Sequence, residues 1–149
     1  VKKCQEYAKK HNTNVIYSFV GSGDTIEEMK NDYAKCAQLL IDAGAEIIEA
    51  NFSCPNVKTE NGALYLSPEN AEDILKEVRK KVGNKIILGI KVGVYKDTKE
   101  LKNFLSKNAK YINYISGINT VSKNNPYILI YILCQFLSKK ILFFQGIFL

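Results

Sequence analysis

Four short runs rich in β-branched and aromatic residues begin near positions 15, 46, 86 and 112, and one helical stretch separates each from the next. The runs are NVIYSFVG (14–21), EIIEANF (46–52), KIILGIKV (85–92) and YINYISGINTV (111–121). A β-α-β-α-β-α-β alternation implies an α/β fold with a parallel sheet and right-handed crossovers. KIILGIKV is apolar without clean alternation, as expected of a strand covered on both faces. The sheet could close as an open doubly wound layer or as a (β/α)8 barrel. A dinucleotide-binding unit should carry G-x-G-x-x-G after its first strand, and GSGDTI lacks the third glycine. A barrel needs about 250 residues, so in that closure the 149 residues supply about half of one.

The helices carry their own punctuation. VKKCQEYAKKHN reads as a polar helix, and no signal peptide is visible in it. Thr25 and Glu28 have capping-box spacing, with Asp24 as an alternative cap. Ile26, Met29, Tyr33, Ala37, Leu40 and Ile41 then share one face, and Gly44 supplies the stop. Ser67-Pro68-Glu69 opens a helix that carries Ile74, Leu75, Val78 and Val82 to Gly83. Asp97 and Glu100 start the last one, with Leu101, Phe104 and Leu105 on its inner face.

The net charge of +6 suggests nucleic-acid binding only until it is located. Residues 1–100 hold 15 basic and 15 acidic side chains, whereas 101–149 hold six lysines and no acid. There is no arginine cluster and no aromatic–basic pattern, so a nucleic-acid partner is not expected. The four cysteines (Cys4, Cys36, Cys54 and Cys134) form no C-x-x-C pair, and His11 is the single histidine, so no metal site is expected. Cys4 and Cys36 fall on apolar positions of helical patterns and read as core residues. Reduced thiols fit a cytoplasmic protein.

The chain divides into residues 1–123, which carry the alternating pattern, and an apolar tail at 124–149. YILIYILCQFLSKKILFFQGIFL, from Tyr127, has no cap and no acid. Lys139 and Lys140 split it into runs of about eleven and nine residues, short of the ~20 that span a bilayer. Core strands or a helix are an alternative. The composition fits best a non-native tail, with Ile, Phe, Tyr, Lys and Asn crowded as in translated AT-rich non-coding sequence.

In parallel α/β proteins ligands bind outside the carboxyl ends of the strands. The second strand ends at Asn51, followed by Ser53, Cys54, Pro55 and Asn56. The third ends near Lys91, a cation in an apolar run, and the fourth at Asn119-Thr120. Each has an ordinary structural reading as a turn former, a snorkelling lysine or an inert thiol. Their placement at three successive strand ends favours a shared site. Amides suit a planar ligand with alternating N–H and C=O groups, because each offers a donor and an acceptor.

NFSCPNV, a later strand bearing Lys91, and INTVS together resemble the class 1 dihydroorotate dehydrogenases and the related FMN domain of dihydropyrimidine dehydrogenases. The Asn-x-Ser-Cys-Pro-Asn signature is the specific part. The resemblance covers residues 14–123 and implies the middle of an FMN-binding TIM barrel, about half of it. It implies oxidation of dihydroorotate to orotate in pyrimidine biosynthesis, with uracil or thymine reduction as the near alternative and an inactive fragment as another. By resemblance Cys54 is the base that takes the C5 proton, and Asn51, Asn56, Asn119 and Thr120 bind the pyrimidine. Lys91 and Asn51 face the flavin, whose N1/O2 edge becomes anionic on reduction and is stabilised by a fixed cation. A thiolate suits the base because a lowered thiol pKa makes it available near neutrality. The membrane-associated class 2 relatives have serine there, so Cys54 points to the soluble branch. The implied partners are the pyrimidine and either a second copy or an electron-transfer subunit. The loop 58–68, with Gly62 as hinge, is expected to cover the site. The family's other strands bring the phosphate-binding glycines, so this chain alone is expected to bind FMN poorly.

Overall fold

The computed structural model describes residues 1–54 and 63–117 of the chain. In order these form α1 (Lys2–Lys10), β1 (Tyr17–Phe19), α2 (Ile26–Asp42), β2 (Ile47–Asn51), α3 (Pro68–Val82), β3 (Ile87–Val92), α4 (Thr98–Asn108) and β4 (Tyr114–Gly117). Short 3-10 turns at Leu64–Leu66 and Ala109–Tyr111 precede α3 and β4. All three strand pairings are parallel, and the spatial order is β1-β2-β3-β4.

That order decides between the two closures. A doubly wound sheet reverses direction at a switch point and places helices on both faces. Here each strand lies beside its sequence neighbour, so right-handed crossovers put α2, α3 and α4 on one face. The arrangement is a segment of a TIM barrel, convex toward the helices and concave toward the barrel interior.

The helix-facing layer is built from alternate strand residues. Ile48 and Ala50 of β2 and Leu88 and Ile90 of β3 are fully buried against Met29, Tyr33 and Ala37 of α2 and Ile74, Leu75 and Val78 of α3. Phe104 brings α4 into the same core.

The helix ends follow the sequence signals. Thr25 Oγ1 accepts from the Glu28 N–H at 3.2 Å, while Glu28 accepts from the backbone N–H groups of Thr25 and Asp24, so Thr25 and not Asp24 is the cap. At the other end of α2, Ala45 N–H reaches Leu40 O and Gly44 N–H reaches Ile41 O. That double bond pattern requires a left-handed residue, which Gly44 provides at φ +94°.

The strands are shorter than the apolar runs. β1 keeps three residues, and its flanks Ile16 and Val20 are both more than 40% exposed, at 44% and 43%. β4 begins at Tyr114 because Asn113 diverts the ladder: its Oδ1 accepts from Leu88 N–H at 2.9 Å. Cys4 is exposed on α1, contrary to the expectation of a core residue, since α1 buries only Ala8. Cys36 is half-buried against the core, and burial pushes its thiol up. Cys134 and the tail at 124–149 lie outside the described residues.

Candidate active site at the strand ends

Because Ile48 and Ala50 face the helices, alternation sends Glu49 and Asn51 to the concave face of β2. The register then places Gly89 and Lys91 of β3 and Tyr114 and Ser116 of β4 on the same face, with Asn51 beside Lys91 and Lys91 beside Ser116. Asn51 and Lys91 are the carboxyl-terminal concave residues of their strands, which is where barrel enzymes carry their sites.

The Asn51 side chain is oriented by its own turn. Its Oδ1 accepts from the Ser53 N–H at 3.2 Å and from Ser53 Oγ at 3.0 Å. A backbone N–H can only donate, so the oxygen is committed and the amide NH2 is left to donate outward. The Asn51 carbonyl accepts from the Tyr33 hydroxyl at 3.0 Å, which ties α2 to the end of β2. Burial pushes that hydroxyl well above its ordinary value; a backbone contact at Gly21 opposes the shift, and Cys54, Cys36 and Asp32 reinforce it. Gly21 is required there: a Cβ would sit 2.5 Å from the Tyr33 ring and 2.7 Å from its backbone nitrogen.

Cys54 follows three residues after Asn51 and is half-buried against the core. Lys91 is also half-buried, and among the described residues no carboxylate forms an ion pair with it. The structure therefore brings Asn51 and Lys91 side by side and starts the Cys54 segment from the same strand end. Asn56, Asn119, Thr120 and Gly62 lie outside the described residues. The expected cover at 58–68 is corrected in its second half. Leu64–Leu66 forms a packed turn with Leu64 fully buried, and Ser67 and Pro68 belong to the start of α3.

Sequence reasoning missed a pair just beneath these groups. Glu49 is only 7% exposed, and its carboxylate accepts from Ser116 Oγ at 2.7 Å across the intervening strand. The crossing passes Gly89, where the Tyr114 ring already lies so close that a Cβ would fall 2.0 Å from it. The signal was present as an acid in the otherwise apolar EIIEANF, but its hydroxyl partner is 67 positions away. Among the described residues no cluster of His, Cys, Asp or Glu could hold a metal, and no helix is long and apolar enough to cross a membrane.

The donor set on this wall suits FMN. A ring whose N1/O2 edge becomes anionic needs a cation and N–H donors, and Lys91 with the Asn51 amide offers both.

The fold and this wall define a (β/α)8 segment with its polar groups at the strand ends. The family model for dihydroorotate dehydrogenase matches residues 1–130, and the chain belongs to that family. It is 32% identical over 111 residues to the dihydroorotate dehydrogenase of Dictyostelium discoideum, covering 73% of this chain and 30% of that protein. It is 32% identical over 80 residues to the catalytic subunit of dihydroorotate dehydrogenase B (NAD(+)) from Alkaliphilus metalliredigens, covering 54% of this chain and 24% of that one. The chain thus spans less than a third of these relatives' length. Among solved structures, the chitinase domain of the spore coat protein CotE from Clostridium difficile superposes with a TM-score of 0.51 at 16% identity, over 75% of this chain and 36% of that one. That similarity is one of fold.

Proposed function

We propose that this chain forms the substrate- and flavin-facing wall of an FMN-dependent dehydrogenase that oxidises dihydroorotate to orotate in pyrimidine biosynthesis. The observation that carries the reading is the placement of Asn51 beside Lys91 at two adjacent strand ends, with Cys54 three residues on. FMN, when bound, supplies the hydride acceptor. Cys54 takes the proton from C5 of the dihydropyrimidine ring. The Asn51 amide, turned outward by Ser53, donates to the ligand, and Asn56, Asn119 and Thr120 complete the pyrimidine contacts. Lys91 would help hold FMN and would supply the fixed positive charge that a ring accepting electrons needs. The electron-transfer partner is a further subunit or a second copy, and the protein works in the cytoplasm.

The test is expression of the gene that encodes this chain together with its flanking DNA, alongside the 149-residue chain alone. The longer product should bind FMN, and dihydroorotate but not dihydrouracil should bleach its flavin band in anaerobic mixing. Cys54→Ala should slow that bleaching by about 10²–10⁴-fold. The chain alone should bind FMN poorly. Bleaching by dihydrouracil alone would replace the substrate, and no bleaching by either would overturn the enzymatic reading.

A further inference from the structure

Tyr65 makes three contacts that the reading above does not use. Its backbone N–H donates to Phe52 O at 3.4 Å, two residues before Cys54. Its hydroxyl donates to Val94 O at 3.3 Å, three residues after Lys91. Its ring lies on Gly93, where a Cβ would come within 2.6 Å of the phenol end. The ring is held from behind by Tyr95, edge-on at 5.3 Å, and Tyr95 rests in turn on Phe104 of α4. Burial, with Glu100 nearby, holds the Tyr65 hydroxyl above its ordinary value, so it stays protonated and able to donate.

We propose that Tyr65 is a positioning residue that ties the segment bearing Cys54 to the strand end bearing Lys91. One side chain fixes the returning end of the chain that leaves β2 at Phe52 to the chain that leaves β3 at Val94. Gly93 is glycine because the ring occupies the space a side chain would need. The two groups come from different strands, and where the chain leaves β2 the Phe52 N–H donates to Lys91 O at 2.9 Å. Tyr65 adds a second tie beyond that bond, joining the two loops through Phe52 O and Val94 O. Its significance for catalysis rests on the function proposed above, but the coupling itself does not.

The test uses the full chain without flavin or substrate. Cys54, Cys36 and Cys4 are alkylated with iodoacetamide, and each rate is read by peptide mass mapping. Tyr65→Phe removes the Val94 bond and keeps the ring, while Gly93→Ala displaces the ring. Each variant should raise the Cys54 rate several-fold relative to Cys36, with Cys4 unchanged. The double variant should show less than the product of the two effects, because both act through one contact. A Cys54 to Cys36 ratio within twofold of the original protein in both variants would overturn the proposal. So would a parallel rise of Cys54 and Cys36, which reports general loosening. Neither result depends on whether dihydroorotate is the substrate.

Discussion

At the scale of single residues the site is a matter of which atoms are already committed. Ser53 consumes the oxygen of Asn51 and frees its amide, and Tyr33 anchors the same residue from behind. NFSCPNV was legible in the sequence because its members are contiguous. Glu49 with Ser116 was not, since the pairing exists only after two crossovers bring β2 and β4 to opposite sides of Gly89. Gly89 gives the sharpest residue-level expectation. Its φ needs no glycine, but a Cβ would meet the buried Tyr114 ring at 2.0 Å. Gly89→Ala should therefore destabilise the fold by about 1–3 kcal/mol through overpacking, read as a lower urea midpoint with an unchanged slope. Gly89→Ala with Tyr114→Phe should not recover the loss, because the colliding atoms belong to the ring and not to the hydroxyl alone.

At the scale of elements the sequence spoke clearly where signals were local. Thr25 with Glu28, Pro68, Gly44 and Gly83 all fall where the helices start or stop. Asp97 caps α4 by accepting from Lys99 N–H at 2.8 Å and Glu100 N–H at 3.0 Å. Asp97→Ala should cost about 1 kcal/mol, measurable as a shift in the urea midpoint, and Asp97→Asn should recover most of it. Strand bounds were less legible because Asn113 obeys Leu88 of β3, and the 3-10 turn before it obeys Arg79 and Glu72 of α3. The same holds for Arg79, which no local pattern marks. It reaches Tyr111 O, Gly83 O, Ile86 O and Asn113 Oδ1 at 2.8–2.9 Å, closing the amino-terminal side of the sheet opposite the candidate site. A lysine cannot serve that many acceptors in one plane. Arg79→Lys should lower stability by about 1–2 kcal/mol, the cost of partly buried acceptors losing their donors, and calorimetry would show it as a reduced Tm.

At the scale of the molecule, the alternating pattern established the class of fold, and only strand order could separate barrel from doubly wound sheet, because order is a property of long-range pairing. The same long-range packing makes the fold sensitive to alkali. Tyr33 hangs from the Asn51 carbonyl with no exposed surface, and Tyr95 sits between Tyr65 and Phe104. Burial raises the phenol of each above its ordinary value, and it is the first cause in both. In the unfolded chain a tyrosine ionises near pH ~10. Below that pH both states are neutral and the full contribution to stability is present. Above it the unfolded state releases protons that the folded state retains, so stability falls until the folded values are passed. Urea midpoints should therefore be level near neutral pH, slope gently from about 8.5, where the Cys36 thiol ionises more readily in the unfolded chain, and drop steeply beyond about 10. Tyr33→Phe should begin lower, having lost the bond to Asn51, and then fall less steeply. Equal slopes for the two proteins above that pH would show that Tyr33 ionises as freely in the fold as outside it.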